Sequence, residues 1–261
     1  MARLQKWVEG GRYADLFLER KPYLLPSADG AVRRLASTGF DVTSEVPIRA
    51  ELYELDRDEH ILALVVHHIS ADGWSTGPMA RDIMVAYSAR TEWEDPSWAP
   101  LPVQYSDYTL WQREVLGSED DAQSLISRQL DYWRRTLADV PDQLDLPADR
   151  PRRATQSYAG ATVDFSIDPD LHRDLVAFAR TRNASLFMVV HAALSMLLAR
   201  LSGQRDITIG TPVAGRGEQS LDDLIGMFVN TLVLRTEVDP DAEFTVHLAR
   251  AREAALGAFG H

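Results

Sequence analysis

The sequence predicts an α/β (α+β) chain in which mixed sheets are flanked by helices. Three observations carry this expectation. Short β-branched runs at 61–66 and 228–235 have strand length, apolar stretches of helical length follow cap-type residues at Asp168 and Ser185, and proline- or glycine-bearing segments separate them.

In order along the chain, residues 1–38 are the least readable, being polar and interrupted by Gly10-Gly11 and by Pro22 and Pro26. Residues 51–55 and 60–66 predict an antiparallel pair around the polar turn Asp56-Arg57-Asp58-Glu59. The run 61–66 reads Ile-Leu-Ala-Leu-Val-Val without a polar break, which predicts a strand buried on both faces. Ser75 is placed to cap a helix through Ala89, with Pro78 tolerated in its first turn and Met79, Ile83, Met84 and Tyr87 on its core face. Pro96, Pro100 and Pro102 disfavour helix and interior strand alike, so a junction between residues 1–100 and 101–261 is placed there.

Helices follow at 104–116 and 119–138, then a proline-bearing connector at 144–153. Thr162, Asp164 and Ser166 alternate with Val163, Phe165 and Ile167, the pattern of a strand over 161–167 with one wet face. Asp168-Pro169 opens a helix to about Thr181, and Ser185 opens an apolar one to Leu201 that Gly203 ends. Strands at 207–209 and 228–235 and a helix at 243–258 complete the reading.

Composition removes several functions. The net charge of −12 argues against nucleic-acid binding, which needs clustered cations against phosphate. The absence of cysteine excludes disulfides, a zinc–thiolate site and a cysteine acyl-enzyme. No apolar run approaches the ~20 residues of a membrane span, and the N-terminus lacks a signal-peptide core, so a soluble cytoplasmic protein is expected. No Gly-rich phosphate loop appears, so ATP is not expected.

The most informative stretch is His67-His68-Ile69-Ser70-Ala71-Asp72-Gly73. On a regular strand neighbouring side chains diverge, so this pair reads as one base plus one support and not as a metal site. Histidine is the side chain best matched to proton transfer near neutral pH. Asp72 orients a ring or ties down the loop, while Gly73 permits a turn and leaves room for substrate. Ser70 lacks the Gly-x-Ser-x-Gly turn of a nucleophile. His60, His172, His191 and His247 have no adjacent chemistry and read as surface or core.

His67 to Gly73, followed by Trp74-Ser75, resembles the His-His-x-x-x-Asp-Gly signature of nonribosomal peptide synthetase condensation domains, within the chloramphenicol acetyltransferase-like superfamily. Residues 103–112 (Val-Gln-Tyr-Ser-Asp-Tyr-Thr-Leu-Trp-Gln) resemble that family's tyrosine–aspartate–tryptophan–glutamine motif. Residues 209–216 (Ile-Gly-Thr-Pro-Val-Ala-Gly-Arg) and 225–232 (Ile-Gly-Met-Phe-Val-Asn-Thr-Leu) resemble two halves of a later motif. Phe40-Asp41 and Pro47-Ile48-Arg49-Ala50 resemble the segment just upstream of the histidines. The resemblance runs from about Gly39 onward. Two early motifs and the continuation past Phe259-Gly260-His261 are missing, which reads as a domain trimmed at both ends.

The resemblance implies an incomplete two-lobed chloramphenicol acetyltransferase-like fold, with 1–100 a partial N-terminal lobe and 101–261 a partial C-terminal lobe. It implies amide-bond formation between a donor acyl or peptidyl thioester and an acceptor aminoacyl thioester, with L-configured donor and acceptor. His68 is then the acting imidazole, as a base or by positioning the amine, and His67 its neighbour. Asp72 forms a loop-fixing ion pair with an arginine, for which Arg49 is the nearby candidate, and Gly73 offers space and a backbone N–H. Trp74, Ser75 and Asn230 are substrate-tunnel candidates, although Trp74 reads more as packing and Asn230 equally as a satisfied polar group at a strand edge. Tyr105, Asp107, Trp111 and Gln112 read as lobe-packing residues, and Arg216 as structural. The chain would need no cofactor of its own. Phosphopantetheine arms belong to the upstream donor and downstream acceptor carrier domains, beside an adjacent adenylation domain. Epimerization shares the histidines, but Phe228-Val229-Asn230-Thr231 resembles the condensation version. Heterocyclisation replaces the histidines with aspartates, and non-catalytic, partner-recruiting relatives tend to lose them.

Overall fold

The computed structural model describes residues 19–22, 25–151, 155 and 160–261; Gly10-Gly11 and residues 152–153 of the expected connector lie outside this set. Contacts divide the chain into two units. The first holds the described residues up to Arg113 together with Ala214–Asn230, and the second holds Glu114–Val213 and Thr231–His261.

The first unit opens with strand β1 (Glu19–Pro22), helix α1 (Leu25–Ser37) and strand β2 (Ile48–Asp56), with β1 and β2 parallel in the register Glu19↔Glu51 to Pro22↔Glu54. Neither β1 nor α1 is expected from the sequence. Pro26 stands in the first turn of α1, where an N–H would have no intrahelical partner, and so does not break the helix. Ala31 and Leu35, one turn apart, are its buried face.

β2 pairs antiparallel with β3 (Glu59–Val66), from Ile48↔Val66 to Asp56↔Glu59, with a register shift between Glu54 and Asp56. The hairpin is therefore as the sequence predicts, with β2 longer at its start. The expected burial on both faces of β3 is not found. β3 is an edge strand in the order β1-β2-β3, and Ile61 and Leu62 are 39% and 42% exposed. Tyr53, on the central strand, is fully buried.

Helix α2 (Thr76–Thr91) starts where expected, but its core face is different: Met84 and Tyr87 face outward, Met79 and Ile83 are half-buried, and Ala86 is the buried residue. Residues 94–104 contain no helix or strand, consistent with their prolines. Helix α3 (Tyr105–Leu116) follows, and the Asp107 carboxylate accepts from Gln104 N at 2.8 Å at its start.

In the second unit, helix α4 (Leu125–Thr136) begins six residues later than predicted from 119. Ser118 Oγ accepts from Asp120 N and Asp121 Oδ1 from Gln123 N, so side chains satisfy the backbone locally before Ser124 caps the helix at Ser127 N. Helices α5 (Pro169–Thr181) and α6 (Leu186–Ser202) match the sequence signals closely. Asp168 Oδ1 accepts from Leu171 N at 2.9 Å, Ser185 Oγ accepts from Met188 N at 3.2 Å, and Gly203 leaves α6 at φ +72°. Strands β4 (Asp206–Val213) and β5 (Asn230–Glu237) form a second sheet, and helix α7 (Phe244–Phe259) ends the chain. The Arg235 guanidinium meets Asp206 at 2.7 Å and reaches the carbonyls of Thr136 and Ala138, joining the sheet to the end of α4. Ala179, Val189, Ala192, Leu248 and Ala251 form the core between α5, α6 and α7.

The strand expected over 161–167 is absent. Val163 and Phe165 are 85% and 86% exposed, and the segment pairs with no strand among the described residues. Alternation favours an extended chain, yet a strand also needs a neighbour to take its N–H and C=O groups. His191 and His247 are buried core residues of α6 and α7, and burial lowers the His191 pKa. Among the described residues no single helix is long and apolar enough to cross a membrane; α5 and α6 pass that test only as a pair bent by 101°.

The Ser185 cap has a measurable consequence. Ser185→Ala removes the acceptor for Met188 N and is expected to cost about 1 kcal/mol, read as a lower urea midpoint with an unchanged slope.

Candidate active site

The site lies in the first unit, where the β2–β3 hairpin delivers its histidines. β3 ends at Val66, so the two imidazoles leave the strand and enter a turn at 68–70. The alternation of a regular strand therefore does not apply to them. His67 N donates to Pro47 O at 2.9 Å, continuing the hairpin by one bond. Ser70 N and Oγ both donate to His67 O, at 3.0 and 3.1 Å, which closes the turn.

The same turn separates the imidazoles. His67 is half-buried, with its ring edge-on to Phe40 at 5.8 Å, and its Nδ1 accepts from Ile69 N at 3.0 Å. That bond requires Nδ1 to be the unprotonated nitrogen, so the ring proton is on Nε2. His68 is exposed and has no hydrogen-bonding side-chain partner among the described residues. One imidazole is held and the other is free to meet a ligand.

Asp72 is buried. Its Oδ1 accepts from Ser75 N at 2.9 Å, Ser75 Oγ at 2.8 Å and the Arg216 guanidinium at 3.1 Å, and its Oδ2 accepts from Phe228 N at 3.0 Å. No hydrogen bond links the carboxylate to either imidazole; it ties the loop after the histidines to the segment 214–230. The proposed pairing with Arg49 is not found. Arg49 binds Glu45 at 2.5 Å and the carbonyls of Thr38 and Gly39, while Arg216, 144 residues from Asp72, is the true partner.

Both terminal nitrogens of Arg216 are engaged, while its Nε is buried without a partner among the described residues. Its guanidinium donates to Leu221 O and Leu224 O and lies 4.0 Å from the centre of the Phe228 ring. Gly215 delivers it at φ +65°, and a Cβ there would overlap the Phe228 carbonyl, so this position needs glycine for both conformation and space. Phe228 packs on Tyr105 and Tyr108 of α3, Tyr105 Oη donates to Met227 O at 2.6 Å, and a Cβ on Gly226 would overlap the Tyr105 ring. Gln112 donates to Tyr108 Oη, whereas Trp111 is half exposed. Burial raises the Tyr108 pKa.

Ser75 differs from its expected role. Its side chain caps no helical N–H; its Oγ accepts from Asp72 N, Gly226 N and Arg216, and its one proton goes to Asp72 Oδ1 or Gly226 O. It is fully buried, a structural hub inside the Asp72 cluster. Trp74 is 58% exposed, contrary to the packing expectation. Gly73 has an ordinary φ and open space at its Cβ position, so its value is room and not a special turn. Asn230 is exposed at the first position of β5. Among the described residues no group of three or more His, Asp or Glu side chains could hold a metal ion.

Burial alone pushes the Asp72 carboxyl up, but the bonds from the Ser75 hydroxyl, the Phe228 and Ser75 N–H groups and Arg216 outweigh it and leave it below its ordinary 3.8. A depressed carboxyl contributes stability that is complete above 3.8 and is lost as pH falls through the lower folded value. Asp72→Asn is therefore expected to flatten the acid limb of the stability profile. At neutral pH it leaves the Arg216 guanidinium buried without a counter-charge, a loss of about 3 kcal/mol. Urea unfolding at neutral pH and across the acid range measures both.

The Condensation domain family model matches residues 19–261. The chain is 49% identical over 95% of its length to the probable nonribosomal peptide synthetase CymA of Salinispora arenicola, of which it covers 3%. It is 50% identical over 84% of its length to a dimodular nonribosomal peptide synthase of Bacillus subtilis, of which it covers 9%. Among solved structures it superposes on the X-domain in the complex of the X-domain and OxyB from teicoplanin biosynthesis, with a TM-score of 0.88 and 33% identity, covering 94% of this chain and 54% of that one. The mixed α/β architecture is the chloramphenicol acetyltransferase-like fold of these domains. This chain belongs to the condensation-domain family of nonribosomal peptide synthetases.

Proposed function

We propose that the chain takes part in amide-bond formation between two carrier-bound thioesters, an L-configured acyl or peptidyl donor and an L-configured aminoacyl acceptor. Condensation domains as a family carry out acyltransferase-type amide formation beside carrier and adenylation domains in multidomain synthetases. The observation that carries the reading for this chain is the unequal pair, His67 anchored by Ile69 N–H and His68 exposed beside it, without a hydrogen-bonding side-chain partner among the described residues.

In this reading the acceptor amine attacks the donor thioester carbonyl; the new C–N bond forms, the C–S bond breaks, and the proton lost from nitrogen ends on the departing thiol. His68 receives that proton or holds the amine at the carbonyl. Gly73 leaves open space nearby, and Trp74 and Asn230 are exposed for contact with substrate. The chain would need no cofactor of its own, the phosphopantetheine arms being those of the donor and acceptor carriers. Residues 1–100 and 101–261 would supply parts of the two lobes.

A second reading, binding of a partner protein without amide formation, is favoured by the likeness to the X-domain. One experiment separates the two. The full-length protein carrying this sequence is incubated with loaded donor and acceptor carriers, and the acceptor is read by intact mass. Product from the parent and a loss of about a hundredfold or more in His68→Ala are the expected results. Equal product from both would remove His68 from the reaction, and product from neither would favour the binding reading.

A further inference from the structure

The half-buried support beneath the histidine turn comes from a segment outside the motif. After α1, Asp41 Oδ1 accepts from Thr43 N at 3.0 Å and its Oδ2 from Ser44 Oγ at 2.6 Å, while Glu45 N donates to Asp41 O at 2.8 Å. This turn brings the Glu45 carboxylate to Arg49 at 2.5 Å. The Arg49 guanidinium is further fixed by Thr38 O at 2.9 Å and Gly39 O at 2.7 Å, so its plane is set by three acceptors. Its carbon lies 3.8 Å from the centre of the Phe40 ring, and the Phe40 ring meets His67 edge-on. The hairpin closes the arrangement, because Pro47, just before β2, accepts from His67 N.

We propose that Phe40 and Arg49 are positioning residues for His68. The guanidinium holds the Phe40 ring, the ring holds the His67 imidazole, and His67 Nδ1 holds Ile69 N–H, so the turn projects His68 in one direction. Arg49 is thus the far end of a stack that acts through two other side chains, and its charge neutralises Glu45 and not Asp72. Arginine suits this place because a planar, multiply donating group can stack and hydrogen-bond at once. The inference rests on the amide-forming reading for its kinetic consequence, whereas its structural consequence stands without it.

The test uses the full-length protein and two readouts. Phe40→Leu and Arg49→Met are expected to lower kcat for condensation about tenfold to a hundredfold with acceptor KM nearly unchanged, since small displacements of a reacting group cost rate more than binding. Amide hydrogen exchange of peptides covering 67–70 should rise by about tenfold while those covering α2 stay unchanged, the mark of a local opening. Phe40→Tyr, which keeps the stacked ring, should restore both readouts. Should Phe40→Leu fail to fold, seen as faster exchange in α2, Arg49→Met carries the test, because methionine keeps the volume and removes only the stacked charge. Unchanged exchange at 67–70 in a folded Arg49→Met variant overturns the proposal. Should the parent form no amide, the amide-forming reading fails, and exchange at 67–70 still decides the positioning role.

Discussion

The buried ion pair of Asp72 and Arg216 organises the first unit, because neither charge is tolerable there alone. Removing a carboxylate and a guanidinium from water costs several kcal/mol each, and their mutual attraction offsets this only when the remaining donors and acceptors are also satisfied. Here the satisfaction is nearly complete. Asp72 receives bonds from Ser75, Arg216 and the Phe228 backbone, and Arg216 donates to Leu221 and Leu224 while lying on the Phe228 ring. The pair therefore commits the chain to bring the segment 214–230 against the loop that follows the histidines. Gly215, with its positive φ, is the backbone consequence of that commitment.

From this anchor the histidine turn inherits its rigidity at one end, and from the Arg49–Phe40 stack at the other. Between them the His68 imidazole is exposed, with no hydrogen-bonding side-chain partner among the described residues. The division of labour is physical. A group that must exchange a proton or grip an amine needs open valences and access, whereas a group that fixes geometry needs every valence filled. Asp72 and Ser75 are of the second kind, His67 is held through Nδ1, and a hydroxyl with five polar neighbours leaves no capacity for substrate.

The second unit is held by different means. Small residues at Ala192 and Ala251 pack in the core shared by α6 and α7, and side-chain caps settle the starts of α5 and α6. The Arg235–Asp206 pair is half-buried, and the guanidinium also reaches carbonyls at the end of α4. The apolar face of 161–167 has no such settlement among the described residues, and Val163 and Phe165 are exposed.

Features written in neighbouring residues were legible from the chain alone. The caps at Asp168 and Ser185, the end of α6 at Gly203, the 51–66 hairpin and the histidine motif all rest on contacts within a few residues, where local stereochemistry decides. Features that depend on a distant partner were not. Pro22 and Pro26 hid α1, whose buried face is Ala31 and Leu35. Ser75 looked like a cap because its partners Gly226 and Arg216 lie 151 and 141 residues away. Alternation over 161–167 marked a strand, but hydrogen bonds to a neighbour make one. By itself the sequence determined the local elements and the chemistry-bearing groups. The tertiary structure alone decided that Asp72 pairs with Arg216 and that Arg49 turns to Phe40, because a buried charge takes whichever partner the fold brings within hydrogen-bond reach.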